Sequence, residues 1–406
     1  MGAAPTAKKI CFISNEAART GAPAILLGLS QWLQAHHRIE SVHVLMRDGA
    51  LRTDFERLGK TYTWIPTDLN QPERLHKRLG KLLLQRGRSD PGVWLNRILE
   101  EEQPDILYLS TLVLGKYLQA VNKDPRQRVV SHGHELLPSL RQLSNDQLVQ
   151  TQLGLSDVVI ACAPCVAEML HTTFQLPASK CTIIPEYIHP ESSDSAPDPS
   201  IAMPASVARE LGTMPALMAA LGNGTPLLGN GGNPIHRKGF DLFPLLVREC
   251  KRQFGEVPFH AVWLGCGQGS AAHGEMEWDL NRMGLRENVS LVPSVSLPTF
   301  RWLLRRLTVL TLLSREDPFP LVVLEAGMRG VPTVCFEGSG AIPDLAAEGC
   351  CVSVNYLDVP AFAAAVRRLC EQPEEARAIA ARCGRKVRDE LSLDVVAPRV
   401  AKVLLG

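Results

Sequence analysis

The stretch of sequence that decides the fold is residues 309–330, VLTLLSREDPFPLVVLEAGMRG. Its first five residues predict a strand and Leu321 to Met328 predict a helix, so a polar loop connects the two elements. The start of a helix offers unpaired N–H groups and a positive dipole end, which suits a phosphate. Asp317 precedes this helix and Glu325 lies inside it, where carboxylates can accept hydrogen bonds from sugar hydroxyls. A simple N-cap is the alternative interpretation of Asp317.

The alternation of strands and helices extends over the whole chain. A stretch rich in Pro, Ser and Asp, from His189 to Pro204, separates two series of similar length and is typical of a linker. Alternating strands and helices predict two parallel-sheet α/β domains, with ligand sites at the carboxyl ends of the strands and in a cleft between facing domains. Strands are predicted at 10–14, 41–46, 62–65, 106–109, 128–131, 158–161, 181–184, 227–229, 260–264, 289–292, 309–313 and 332–336, and further helices at 240–250, at 361–369 and over most of 373–405.

The composition excludes several classes of protein. The 406 residues suffice for two or three domains. Lys and Arg number 43 and Asp and Glu 42, so no basic excess points to nucleic acid. A hydrophobic content of 45% and a charged content of 21% are typical of a globular protein and not of a disordered one. We expect neither a transmembrane helix nor a secretory signal, and we expect the 11 cysteines to be reduced in the cytoplasm.

Two further loops follow predicted strands and could bind a phosphate. Residues 229–241, GNGGNPIHRKGFD, carry Arg237 and Lys238 close to a helix start, where cations neutralise phosphate. Residues 15–23, NEAARTGAP, follow the first strand, and Gly21 would let the backbone approach a phosphate or a sugar closely. A solvated basic loop and a tight turn are the respective alternatives.

The segment Ser131 to Glu135, SHGHE, also follows a predicted strand. Two histidines and a glutamate could bind a metal ion, but no third ligand at a helical spacing accompanies the histidines. A turn with solvated histidines is the plainer alternative. A single histidine that contacts a substrate hydroxyl fits better than a metal pair.

Taken together, these segments resemble the family-4 retaining glycosyltransferases of the GT-B type over nearly the whole chain. The most specific match is Asp317-x7-Glu325, which is similar to the family's Glu-x7-Glu motif. The supporting segments are Arg237-Lys238-Gly239, Trp263-Leu264-Gly265, Gly340-Ala341-Ile342-Pro343-Asp344, and Val130 to Leu136 with His134 as the matching histidine. The resemblance implies an α/β GT-B fold of two Rossmann-like domains that face each other across a cleft. It divides the chain into an acceptor domain (1–188), a linker region (189–220), a nucleotide-sugar donor domain (221–385) and a C-terminal helix that packs back on the first domain (386–406).

The resemblance also implies three catalytic residues. Lys238 would hold the diphosphate of a nucleotide-sugar, Asp317 would contact the donor sugar, and His134 would lie near the transferred sugar. The resemblance implies no metal ion or other cofactor, which agrees with fixed cations that stabilise the charge gained by the departing diphosphate. The amides of Gly21 and Ala22, together with Arg237, would bind the diphosphate of the donor. The backbone near Phe319 and Leu321 would contact the donor sugar, with Glu316 as the alternative acid there. Glu325 would accept hydrogen bonds from the ribose hydroxyls.

The sequence departs from the family pattern at several positions. Asp317 replaces the first glutamate of the motif, and Pro318 and Pro320 replace glycines whose N–H groups proline lacks. Asn233 replaces an arginine, so Arg237 has to supply the second cation. We therefore expect fewer amide contacts to the donor sugar than in the usual family member.

The expected activity is transfer of a sugar from a nucleotide-diphosphate sugar, with UDP or GDP as the nucleotide, to a glycan or a lipid-linked acceptor. The resemblance implies retention of configuration and a role in polysaccharide or glycoconjugate biosynthesis. A nucleotide-sugar epimerase on the same scaffold and a non-catalytic binding module are the alternatives, because a fold does not determine a function.

A basic, leucine-rich segment from Glu73 to Arg88, ERLHKRLGKLLLQRGR, leaves the location in the cell open. An amphipathic helix of this composition can lie on an anionic membrane surface, which would suit a lipid-linked acceptor and place a cytoplasmic protein at the inner membrane face. An ordinary helix that packs its leucines inward is the favoured alternative.

Overall fold

The computed structural model describes residues 7–64, 90–189 and 202–406, and its contacts divide the chain into two units. The first unit extends to Tyr187 and includes Leu393–Gly406, whereas the second unit is Ile188–Ser392. Each unit is a parallel α/β sheet with helices, so the predicted fold class is confirmed.

The strands of the first unit are β1 (Lys8–Ser14), β2 (Ile39–Leu45), β3 (Lys60–Thr63), β4 (Ile106–Leu109), β5 (Arg128–Gly133), β6 (Val158–Ala161) and β7 (Cys181–Ile183). In the described residues they form a seven-stranded parallel sheet in the order β3-β2-β1-β4-β5-β6-β7. Its helices are α1 (Gly21–His36), α2 (Arg52–Leu58), α3 (Pro91–Glu102), α4 (Gly115–Leu118), α5 (Leu137–Leu143), α6 (Asp146–Leu155) and α7 (Pro164–Phe174). Consecutive residues of β1 are fully buried, because helices cover both faces of a parallel sheet.

The strands of the second unit are β8 (Leu227–Gly231), β9 (His260–Leu264), β10 (Val289–Val292), β11 (Val309–Leu312), β12 (Thr333–Phe336) and β13 (Val352–Val354). Among the residues that the structure describes, they form a six-stranded parallel sheet in the order β10-β9-β8-β11-β12-β13. The remaining helices are α8 (Ala205–Leu211), α9 (Pro215–Asn223), α10 (Phe243–Phe254), α11 (Ala271–Arg282), α12 (Leu297–Arg306), α13 (Leu321–Met328), α14 (Ile342–Ala347), α15 (Val359–Glu371), α16 (Pro373–Glu390) and α17 (Leu393–Leu405). Of these, α17 belongs to the first unit.

Both sheets contain a point at which the strand order reverses. In the first unit this point lies between β1 and β4, and in the second it lies between β8 and β11. The loops that leave such a pair of strands diverge, which opens a crevice at the carboxyl ends. The loops predicted to bind the donor follow β1, β8 and β11, so the topology places each of them at a reversal point.

The structure differs from the sequence predictions in a few elements. The edge strand β13 was not predicted, because its three half-buried residues are too few to show a strand pattern. The helix predicted at 240–250 begins at Phe243, after a short 3-10 turn. Part of the predicted linker region 189–220 is helical, because α8 and α9 bury Val207, Leu211 and Leu217 in the core of the second unit.

Two sequence predictions fall outside the described residues. They are the basic helix from Glu73 to Arg88 and the central part of the linker, residues 190–201. Within the described ranges, no helix combines the length and the apolar character that crossing a bilayer requires.

Candidate functional site

A glycine turn brings the loop after β8 against the loop after β11. His236–Lys238 form one 3-10 turn, and Gly239 follows with a φ of +71°. A Cβ atom on Gly239 would lie 2.1 Å from the carbonyl oxygen of Leu313, so glycine is required for this close approach. The N–H of Arg315 donates to the carbonyl oxygen of Arg237 at 2.8 Å. The basic residues of one loop therefore lie beside the acidic residues of the other.

Lys238 and Asp317 form an ion pair between these two loops. The Lys238 Nζ lies 2.6 Å from the Asp317 Oδ2, and the two side chains are 20% and 10% exposed. Arg237 donates from its guanidinium to the carbonyl oxygen of Glu316 at 2.8 Å. The two predicted cations are therefore held in place at the crevice between β8 and β11. A phosphate bound there would give Lys238 a second anionic partner.

The backbone of the acidic loop is fixed by the turn after β12. The N–H of Asp317 donates to the carbonyl oxygen of Ser339 at 2.5 Å, and the N–H of Ala341 donates to that of Pro318 at 3.1 Å. Gly340 has a φ of +133°, and a Cβ there would lie 1.8 Å from the carbonyl oxygen of Asp317. The Gly340 segment thus holds the acidic loop in position.

The alternative interpretation of Asp317 as an N-cap is wrong. Helix α13 begins at Leu321 with Pro320 at the cap position, and no side chain caps it. Asp317 lies outside the helix and its carboxylate is bonded to Lys238. Phe319 and Leu321 are partly buried against the core, and Glu325 lies one turn inside α13.

Glu316, the alternative acid, is buried at the same edge of the sheet. Its Oε1 atom has no hydrogen-bond partner within the described part of the chain. A buried carboxylate oxygen without a donor costs free energy, so this atom can accept a hydrogen bond from a bound ligand at no loss to the protein.

In the first unit, the loop after β1 leads directly into α1. Gly21 is the first residue of this helix, and Thr20 at the cap position makes no side-chain cap hydrogen bond. The first intrahelical bond is the one from the Ala24 N–H to the Thr20 carbonyl oxygen. Because Pro23 has no N–H, Gly21 and Ala22 supply the backbone donors of this first turn.

His132 and His134 lie side by side at the carboxyl end of β5. Their ring centroids are 4.1 Å apart, and the Nδ1 of His132 lies 2.5 Å from the hydroxyl oxygen of Tyr108. Among the described residues, the carboxylate of the neighbouring Glu135 is not hydrogen-bonded to either imidazole ring. It accepts hydrogen bonds from the hydroxyl of Thr111 and from the N–H of Leu112.

The sequence analysis missed Glu186, which contacts His134. Its Oε1 atom is hydrogen-bonded to the Nδ1 of His134, and both side chains are buried. Glu186 comes shortly after β7, two strands from β5 in the sheet, so 52 residues separate the partners. Its position just beyond the carboxyl end of a predicted strand was the one available signal.

With Glu186, the histidines gain the third ligand that the sequence did not reveal. Potential ligand atoms of His132, His134 and Glu186 all lie within 4.8 Å of one another, so this cluster could hold a metal ion. The direct hydrogen bond between His134 and Glu186 supports a different interpretation, in which the two side chains act as a hydrogen-bonded imidazole and carboxylate without a metal ion.

The two histidines have opposite electrostatic properties. Burial lowers the pKa of His132 well below its usual value, and the neighbouring His134 lowers it further. Burial also acts to lower the pKa of His134, but the charge and hydrogen bond of Glu186, with the charge of Glu135, outweigh it and raise the pKa. The site therefore combines a neutral imidazole with one whose protonated form is stabilised.

Two parallel α/β units, with candidate anion-binding loops at their reversal points, agree with the GT-B architecture that the sequence resemblance implies. The sequence matches the family model Glycosyltransferase Family 4 over residues 20–192 and the model Glycosyl transferases group 1 over residues 226–372. The chain therefore belongs to the family-4 glycosyltransferases. No curated protein matches it in sequence.

Solved structures share this fold at low sequence identity. HepE (Alr3699) from Anabaena, in complex with UDP and glucose, has a TM-score of 0.72 and 16% identity, with 98% of this chain and 99% of that chain covered. Sucrose-phosphate synthase from Thermosynechococcus elongatus has a TM-score of 0.68 and 16% identity, with 98% of each chain covered. WaaG, a glycosyltransferase involved in lipopolysaccharide biosynthesis, has a TM-score of 0.66 and 13% identity, with 98% of this chain and 100% of that chain covered.

Proposed function

We propose that the protein transfers a sugar from a UDP-sugar to a glycan or lipid-linked acceptor, with retention of configuration and without a metal ion at the diphosphate. The observation that carries this proposal is the placement of Arg237 and Lys238 beside Glu316 and Asp317 at the strand-order reversal of the second unit. The UDP complex of HepE supports UDP over GDP as the nucleotide.

The proposal assigns complementary tasks to the two loops. Lys238 would bind the diphosphate and stabilise the negative charge that grows on it as the glycosidic bond breaks. The carboxylates of Asp317 and Glu316 would accept hydrogen bonds from the donor sugar, and Glu325 from the ribose. If the diphosphate replaced Asp317 as the anionic partner of Lys238, the Asp317 carboxylate would be free to contact the sugar.

The pathway and the location follow from the same proposal. A lipid-linked acceptor would suit a cytoplasmic protein at the inner face of a membrane, in polysaccharide or glycoconjugate biosynthesis. Reversal of the charges of Lys77, Arg78 and Lys81 should then reduce sedimentation with anionic liposomes. Unchanged sedimentation would contradict the membrane association.

Nucleotide binding is the first test of the proposed function. UDP at about 100 times its dissociation constant should stabilise the protein by about 2.7 kcal/mol, a rise in melting temperature of about 5–10 °C. The shift should occur without magnesium and should disappear in Lys238→Ala. An unchanged shift in that variant would contradict the assigned site.

Lys386 provides a matched control for Lys238. It is also a poorly exposed lysine of the second unit, 15% exposed, and is ion-paired with Glu348 and Glu390. Lys386→Ala removes an ion pair of the same kind away from the strand ends, so it should lower stability and leave the UDP shift intact. Conversion of a UDP-sugar in the absence of any acceptor would instead favour the epimerase, and NMR of the glycoside product would test retention.

A further inference from the structure

Glu186 is a buried carboxylate whose surroundings do not explain it by stability alone. Its side chain is 5% exposed, and in the described residues no lysine or arginine forms an ion pair with it. One oxygen is bonded to the Nδ1 of His134, and the other, Oε2, has no partner there. Burying a carboxylate with one unsatisfied oxygen is costly, and among the described residues the bond to His134 is the one hydrogen bond that offsets this cost.

The bond between Glu186 and His134 determines which nitrogen of the imidazole carries a proton. A carboxylate only accepts hydrogen bonds, so the Nδ1 of His134 has to be the donor. In the neutral ring the Nε2 atom then keeps its lone pair, and it lies on the edge of the ring that faces away from Glu186. The His134 side chain is 9% exposed, so it is not completely enclosed.

We propose that Glu186 is the positioning residue of His134, fixing the Nδ1–H tautomer so that Nε2 accepts a hydrogen bond from a hydroxyl of the bound sugar substrates. This inference rests on the proposed function and on the expectation, taken from the family resemblance, that His134 lies near the transferred sugar. Above the raised pKa of His134 the neutral ring accepts at Nε2, and below that pKa the imidazolium, which the same carboxylate stabilises, donates there instead.

The groups around His134 support a fixed ring. The ring of His132 lies against it at an interplanar angle of 38°, and the Tyr108 hydroxyl fixes the orientation of His132 in turn. Glu135 lies next to His134 in sequence and accepts a hydrogen bond from its backbone N–H at 3.0 Å, but has no hydrogen bond to its ring. Two carboxylates therefore lie near the imidazole, and one of them is bonded to it.

This difference supplies a matched pair of variants. Glu186→Gln removes the charge that is bonded to the ring, and Glu135→Gln removes a charge of the same sign nearby. We expect Glu186→Gln and Glu186→Ala to lower kcat, by about 100-fold for the alanine variant, with the affinity for UDP changed less than threefold. Glu135→Gln should retain more activity than either. Equal losses of kcat in Glu135→Gln and Glu186→Gln would overturn the proposal.

A double-mutant cycle tests whether Glu186 acts through His134. In the background of His134→Ala, the further change Glu186→Ala should alter kcat by less than about twofold, because no ring remains to be positioned. An additional loss as large as that in the wild-type background would overturn the proposal.

The tautomer can be measured without any activity. In histidine-labelled wild-type protein at a pH above the raised pKa of His134, ¹⁵N NMR should show the ring protonated at Nδ1 and unprotonated at Nε2. The signal is assigned by its absence from His134→Asn. Protonation at Nε2 alone would overturn the inference even if the enzyme is active. If UDP does not raise the melting temperature of the wild type, that result would contradict the proposed function but would leave the tautomer measurement valid.

The metal alternative gives a distinct outcome. If the cluster holds a metal ion, dialysis against Zn²⁺ should leave one equivalent bound, and Co²⁺ should give visible absorption that Glu186→Gln abolishes. Such a result would overturn the positioning role, because the metal ion would replace the bond between Glu186 and His134. We expect no stoichiometric metal.

Discussion

At the residue scale, burial and partners decide which histidines can take up a proton. His43 is fully buried in the first unit, and burial lowers its pKa to about 4. Its Nε2 atom is hydrogen-bonded to the Ser30 hydroxyl at 2.9 Å, and within the described residues no carboxylate is hydrogen-bonded to its ring. His134 has Glu186 as a partner, and its pKa moves in the opposite direction. One hydrogen-bonded carboxylate therefore accounts for the opposite directions of the two pKa shifts.

The lowered pKa of His43 predicts a dependence of stability on pH. The unfolded chain, with an ordinary histidine pKa of about 6.5, binds the proton more readily than the folded state, so stability falls as the pH decreases from about 6.5 to 4. Between pH 7 and pH 5 this histidine should cost about 2 kcal/mol of the free energy of unfolding. Urea unfolding of His43→Gln should show a decrease in the free energy of unfolding between pH 7 and pH 5 that is about 2 kcal/mol smaller than in the wild type. An identical pH dependence in the variant would contradict the assignment.

At the scale of elements, the position of the acidic loop depends on how α13 packs. This helix contacts α16 closely at Gly327, where a Cβ atom would lie 2.3 Å from the Sγ of Cys383. Glu325 is on the same helix, two residues earlier. The distance between α13 and α16 therefore also determines where a residue of the proposed ribose site lies.

Gly327→Ala should consequently force α13 and α16 apart. We expect a loss of about 1–3 kcal/mol from overpacking, together with weaker binding of UDP measured by calorimetry. Gly274 in α11 is the control, because a Cβ there meets nothing within 4 Å. Gly274→Ala should be neutral or more stable by up to about 1 kcal/mol, since alanine favours helices over glycine. If both variants have the same stability, the packing argument fails.

At the scale of the whole molecule, the C-terminal residues Leu393–Gly406 belong to the first unit, although the second unit precedes them in sequence. Helix α17 follows the second unit in sequence but contacts α1, and the Trp32 indole N–H donates to Asp394 at 3.1 Å. Val396, Val400 and Leu404 recur on one face of α17 and are fully buried. The first unit is therefore assembled from segments at both ends of the sequence.

This arrangement predicts that a substitution near the C-terminus destabilises the N-terminal unit. Val400→Asp buries a charge and should cost several kcal/mol, whereas Val395→Asp on the exposed face of α17, where the valine is 40% exposed, should cost little. Hydrogen exchange followed by mass spectrometry should show faster exchange in β1 and α1 of Val400→Asp, with β8 to β12 unchanged. Faster exchange confined to the second unit would contradict the assignment of α17.

The sequence by itself determined the local elements and the parallel α/β class, because strand and helix periodicities and loop glycines depend on neighbouring residues. It also supplied Lys238, Asp317 and His134 as candidate site residues, since the loops that carry them follow strands that are recognisable as apolar runs. Only the tertiary structure decided which of these side chains meet: that Lys238 is paired with Asp317, that Asp317 is not a helix cap, and that Glu186 is bonded to His134. The physical reason is that contacts between strand ends depend on the order of strands in the sheet, which local sequence patterns do not encode.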